Sequence, residues 1–254
     1  MIDSNNQMPR SSEPYAAMNA CLYKISVIIG AALMLSLAAS FDSVLPVALG
    51  QTHGESSHHR PPADMHQYLE HLDRAERDTD QQPDRVIEAL DLRPGMSVAD
   101  IGAGSGYFTR RFVEAVTEEG KVYAVDVEPG MLEYAQASIT RMPIPSTVEF
   151  ILAQPDNPHL PRESVELIFL CNVYHHLNDR AAYFSHVRSA LTPGGRVAII
   201  DFYHDARSGD VGFPRKHLVA RDTVVEEMAK AGFNLAREHT FLAKQYFLEF
   251  SPVP

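Results

Sequence analysis

The stretch VADIGAGSGYFT, Val98 to Thr109, decides the fold. An apolar run ends in Asp100 and Ile101, glycines follow at Gly102, Gly104 and Gly106, and Tyr107 to Val116 continue at helical spacing. That order predicts a strand, a tight glycine turn and a helix start, by which an α/β fold brings its backbone against a nucleoside ligand. A dinucleotide fingerprint needs its last glycine at position 107, where this chain has Tyr107. The spacing GxGxG argues against a pyrophosphate and leaves the helix start facing a small zwitterion.

Outward from this stretch, strand patterns recur at Ser97–Ile101, Lys121–Asp126, Thr147–Ala153, Val165–Asn172 and Arg196–Phe202. Helical spacing falls at about 107–117, 130–141, 179–191 and 221–231. Such alternation makes a parallel sheet with helices on both faces. Ala236–Leu242 and Gln245–Phe250, separated by Ala243-Lys244, predict an antiparallel hairpin at the sheet edge. Upstream, Met65, Tyr68, Leu69 and Leu72 give Met65 to Arg77 an amphipathic helix, and Pro83 opens a second over Asp84 to Leu90.

The chain of 254 residues is long enough for one α/β domain with extensions. A net charge of −11 disfavours nonspecific nucleic-acid binding. Cys21 and Cys171 lie in contexts too different to suggest a disulfide. Residues 1–50 contain Ile25 to Ala39, fifteen uncharged residues after Lys24, which predicts a signal peptide or membrane anchor. By the distribution of basic residues the bulk of the chain then faces outward, exported or membrane-tethered; a misassigned start or an inward-facing anchor leaves it cytoplasmic. Residues 51–63 form a polar, His-rich linker, and His58 and His59 are assigned no metal. The remaining 64–254 form the folded domain.

Three segments in order, VADIGAGSGYFT, KVYAVDVEPGMLEYA at 121–135 and LTPGGRVAIIDF at 191–202, with the terminal hairpin, resemble a class I S-adenosylmethionine-dependent methyltransferase over about Pro83 to Phe250. The resemblance implies a three-layer Rossmann-like α/β fold, its seven-stranded, mostly parallel sheet having an antiparallel last strand. It implies S-adenosylmethionine as cofactor, S-adenosylhomocysteine as product and a small-molecule methyl acceptor. Asp126 ends the second strand 20 residues after Gly106, where a carboxylate accepts from both ribose hydroxyls. The resemblance assigns it the same role and places Gly102, Ala103, Gly104, Gly106, Tyr107 and Val127 around the cofactor. It also places Met131 over the adenine, Asp100 near the methionine amino group through backbone or water, and Asn172 at the cofactor's edge. Asp156, with Gln154 as alternative, is the expected acceptor for the adenine amino group. Relatives often carry Trp-Gln before the helix-opening proline; Gln81-Gln82-Pro83 in a chain with 0 Trp puts a cap from that segment in doubt.

Asn172 is followed by Val173, Tyr174, His175 and His176 at the end of the fourth strand, where the family fold places catalytic groups. The run from His175 to Asp179 resembles the segment of phenol O-methyltransferases that supplies a histidine base. A neutral imidazole there takes a proton from a hydroxyl or amine; a role in shaping the pocket leaves the same sequence. Tyr174 either orients a substrate amine or packs beneath the loop. Arsenite chemistry is disfavoured because the domain offers only Cys171. O- or N-methylation of a phenol, a quinone-like ring or an amine lipid remains, the N-terminal segment favouring a lipid-like acceptor. Arg215, Lys216 and His217 lie in a segment that either meets an acidic acceptor group or is a solvated loop. The competing function is a non-catalytic S-adenosylmethionine sensor.

Overall fold

The computed structural model describes residues 64–143, 147–212 and 214–254. The export or anchor segment and the His-rich linker lie outside the described residues. No helix among the described residues is long and apolar enough to cross a membrane.

Seven strands form one sheet: β1 (Ser97–Ile101), β2 (Lys121–Asp126), β3 (Thr147–Leu152), β4 (Val165–Cys171), β5 (Leu191–Phe202), β6 (Phe233–His239) and β7 (Gln245–Pro252). Their order is β3-β2-β1-β4-β5-β7-β6. β1 to β5 pair in parallel, and β7 runs antiparallel to both β5 and β6. The expected seven-stranded sheet with an antiparallel last strand is therefore present. Because the chain winds from β1 toward β3 on one side and toward β5 on the other, the order reverses between β1 and β4. Open α/β sheets bind ligands beyond the carboxyl ends of the strands at such a reversal.

Period-2 alternation sorts the apolar side chains onto two faces. Ala99, Ile101, Ile168, Leu170, Val197 and Ile199 pack under α6 (Arg180–Ala190) and α7 (Arg221–Lys230). Val98, Val122, Leu167, Phe169 and Ala198 face α3 (Pro83–Ala89) and α4 (Tyr107–Val116). The helix α5 (Pro129–Ile139) follows β2 and adds Ile139 to the second cluster.

Three boundaries differ from the sequence expectation. The single helix expected over Met65 to Arg77 is two, α1 (Met65–Leu72) and α2 (Glu76–Gln81). Between them, Asp73 is drawn away by Ser105, Arg110 and Tyr134. β5 begins at Leu191 rather than Arg196, and a register shift opposite Val165 and Leu167 absorbs the proline and glycines that suggested a turn. The hairpin loop is 240–244 rather than two residues, because Leu242 leaves the strand and buries against the α3–α4 face, with Phe241 packed beside it. Within the hairpin, β7 lies against β5 and β6 is the outer strand.

The glycine turn after β1 is sterically specified. Gly102 has φ of +72°, and a Cβ there would collide with Val173 Cγ2 from the segment after β4. Gly102→Ala is expected to destabilise the protein by roughly 2–5 kcal/mol. In a Val173→Ala background the loss should shrink, as a double-mutant cycle by urea unfolding would show; equal losses in both backgrounds would mean that the clash is not the cause.

Candidate functional site

The chain leaving β1 folds across the end of β2, since the N–H groups of Gly102 and Ala103 both donate to the Val125 carbonyl, at 2.8 and 3.0 Å. This brings the Gly104 N–H to 2.8 Å from Asp126 Oδ2, while Oδ1 accepts from the Glu128 N–H at 3.0 Å. Asp126 is thereby fixed between the glycine turn and the turn opening α5, 9% exposed. Val127 beside it is half-buried, and Met131 is buried in the first turn of α5. Gly106 approaches α5 closely, since a Cβ there would lie 3.1 Å from the Ala135 methyl.

Other residues expected at the cofactor have different surroundings. Asp100 is sealed behind the turn at 3% exposure, accepting from Thr109 Oγ1 at 2.6 Å. It braces the junction of β1 with α4, and burial pushes its carboxyl up to about 6 against the lowering effects of the Thr109 bond and the Arg77 charge. The Tyr107 side chain turns to α2: its hydroxyl donates to Asp78, and the guanidinium groups of Arg77 and Arg111 lie 3.9 and 4.2 Å from its ring centre. Burial, chiefly, raises this phenol's pKa. Asp156 sits at the exposed tip of a turn closed by mutual backbone bonds between Gln154 and Asn157, because Pro155 turns the chain back at once. The backbone that meets Asp126 is Ala153, whose N–H donates to the Asp126 carbonyl at 2.8 Å.

Helices α1 and α2 cap the turn although Trp is lacking. A Cβ at Gly104 would lie 3.4 Å from Leu72, and one at Gly130 would lie 3.3 Å from Met65. Asp73 accepts from Ser105 Oγ at 2.7 Å and from Arg110 at 3.0 Å. Gln81 is buried and accepts from Arg77 Nε at 3.1 Å and from Cys171 Sγ, at the end of β4, at 3.7 Å. Burial pushes the Cys171 thiol up to about 12, which leaves it unreactive near neutral pH. Lys244 to Asp80 at 2.9 Å and Gln82 Nε2 to the Phe241 carbonyl at 3.0 Å tie the cap to the β6–β7 loop.

On the acceptor side, Asn172 takes a left-handed conformation with φ of +59°, and its Oδ1 accepts from Gln245 at 2.6 Å. His175 is held by Asp201 at the end of β5. Its Nδ1 lies 2.8 and 2.9 Å from the two carboxylate oxygens, and its N–H donates to Oδ2 at 3.0 Å. Both side chains are buried. Asp179 caps α6, accepting from the Ala182 N–H at 3.1 Å. His176 is exposed, its ring centre 4.1 Å from that of His175. Tyr174 belongs to the core: it is buried, packs on Phe184 and donates to Glu227 at 2.7 Å, so it does not present its ring to an acceptor.

Arg77, Gln81 and Asp201 carry contacts that sequence reasoning did not assign. A signal for Asp201 was present: three strands carry an Asp at or one residue before their end, in VADI, AVD and IIDF. Arg77 had none, because helical spacing put it on an ordinary solvent-facing turn.

Residues 98–195 match the family model described as a methyltransferase domain. A S-adenosylmethionine-dependent methyltransferase from Aquifex aeolicus shares 26% identity at a TM-score of 0.69, covering 76% of this chain and 100% of that one. A type 11 methyltransferase from Sulfolobus solfataricus shares the fold at 19% identity and a TM-score of 0.54, covering 67% and 89% of the two chains. The ubiquinone/menaquinone biosynthesis C-methyltransferase UbiE of Shewanella piezotolerans is 28% identical over 117 residues, 46% of this chain and 47% of the relative. The chain thus spans about half the length of such curated relatives. Sheet order, glycine turn and these likenesses agree: residues 98–195 match a methyltransferase domain, and the fold is that of class I S-adenosylmethionine-dependent methyltransferases.

The Asp100 carboxyl generates a pH prediction. Its folded pKa lies above the ordinary value of 3.8, so between about pH 4 and 6 the native state binds more protons than the unfolded one, and stability falls as pH rises through that window. Asp100→Asn should escape this cost. Relative to wild type it should gain on the order of 2–3 kcal/mol between pH 4 and 7 in chemical unfolding; a pH-independent difference would contradict the buried-carboxyl account.

Proposed function

We propose that this protein transfers a methyl group from S-adenosylmethionine to a small hydroxylated ring, phenolic or quinone-like. The observation that carries the reading is Asp126, closing β2 with its carboxylate fixed against the Gly104 amide. The residues present fit the nucleoside: a carboxylate offers only acceptors, as a ribose diol requires, and the glycine turn lets backbone approach without side chains intervening. When bound, the cofactor supplies a methyl already activated on a sulfonium, so the protein's contribution is mainly alignment and exclusion of water.

The chain's own residues then act on the acceptor. Asp201 fixes the ring of His175, and the exposed His176, in the short turn that follows β4, packs against that ring. An imidazole of His176 takes the acceptor's hydroxyl proton, making the oxygen, or the ring carbon conjugated with it, the nucleophile. The names of the Shewanella relatives support a quinone-like ring over an amine lipid. The apolar run at 25–39 supports a protein tethered at a membrane, where such an acceptor would be met.

The full chain, incubated with methyl-radiolabelled S-adenosylmethionine, should label a hydroxylated quinol and leave vesicles with amine headgroups unlabelled. His176→Asn should lower kcat by about 100-fold while S-adenosylhomocysteine affinity stays within about twofold. Tight binding of S-adenosylhomocysteine with no acceptor labelled would instead favour a sensor. An unchanged kcat would remove His176 from the chemistry.

A further inference from the structure

The chain between β3 and β4 and the C-terminal half of α6 enclose a cavity of about 310 Å³. None of its lining residues belongs to the cofactor and acceptor site proposed above. The two walls are fixed to each other. The Glu163 N–H donates to the Ser189 carbonyl at 3.0 Å, and the Ser164 N–H donates to the Ala190 carbonyl at 2.8 Å. Within the loop, Asn157 Oδ1 accepts from the His159 N–H at 2.8 Å, and His159 takes a left-handed φ of +54°. The cavity is therefore formed without help from a ligand, which lowers the entropy lost when one binds.

Its polar lining consists of donors. Arg162, His159 and His186 bring a guanidinium and two imidazoles, and the Asn157 amide, its oxygen already engaged, offers N–H groups. The Ser189 hydroxyl is turned back into the helix, donating to the His186 carbonyl at 2.8 Å. No carboxylate among the described residues lines the cavity, and Arg162 has no ion-pair partner among them. A net charge of −11 repels anions over most of the surface, so a donor-lined cavity of this sign is a local exception. A guanidinium fork flanked by further N–H donors matches a phosphate group, whose oxygens accept on every side. We propose that this cavity is a second ligand site, which binds phosphate either as the free ion or as the monoester of a small molecule. Its size, at the low end of small-ligand sites, leaves room for a short substituent. The inference stands independently of the methyl-transfer reading.

Calorimetric titration of the full chain with inorganic phosphate and with glycerol 3-phosphate, each against sodium chloride of matched ionic strength, tests this. The wild-type chain should bind at least one probe with a Kd on the order of 0.1–1 mM. Arg162→Gln should weaken that binding by about tenfold or more and His186→Gln by about threefold, with the urea midpoint unchanged. Arg215→Gln, which removes an exposed cation outside the cavity, should leave the affinity within about twofold. Tighter binding of glycerol 3-phosphate would support the site and identify its ligand as a monoester; tighter binding of inorganic phosphate would support it with the free ion. Undiminished binding by Arg162→Gln, or an equal loss in Arg215→Gln, would mean diffuse attraction to surface cations and overturn the proposal. Absence of binding of both probes at about 20 mM would overturn it as well.

Discussion

The site depends on one contact, the Gly104 amide donating to the Asp126 carboxylate. Parallel pairing makes it possible: Ile101 lies opposite Val125, so β1 runs out into its turn one residue before β2 ends. The turn folds over Val125, and the next available amide falls on the carboxylate closing β2. Asp126 in turn receives the amide of Glu128, which sets the chain into α5. A shift of the β1–β2 register would separate these groups and, with them, the start of α4 and the seat of the cap.

The same logic recurs at two further strand ends. Asp100 braces β1 to α4 through Thr109, and Asp201 fixes the turn carrying His175. A carboxylate within an apolar sheet must find donors or it destabilises the fold, so each of these three gathers hydroxyl, amide or imidazole groups at the sheet's carboxyl edge. The polar machinery is concentrated there because the central strands β1, β2 and β4 are buried along most of their length. A chain with a net charge of −11 thus acts through the placement of a few carboxylates rather than through its overall field.

Much of this was legible in the sequence because it is local. The glycine spacing, the Asp126 position and the alternation of strands with helices depend on residues near one another in the chain, and the structure has them as read. The departures are tertiary. Asp73 breaks a well-patterned helix because Ser105 and Arg110, more than thirty residues on, compete for it. Tyr107 marked the ligand class correctly by not being glycine, but its ring serves the cap. His175 pairs with Asp201, 26 residues away on the next strand, a partner that no local spacing could indicate. Asp156 is carried outward by a proline turn whose direction no periodicity records.

Hydrogen–deuterium exchange of the full chain, with and without S-adenosylhomocysteine, tests the central claim most directly. The account predicts slowed exchange at the amides of 102–107 and 126–131, the glycine turn and the strand end that meets it. Protection confined to other segments, or none at saturating ligand, would contradict it.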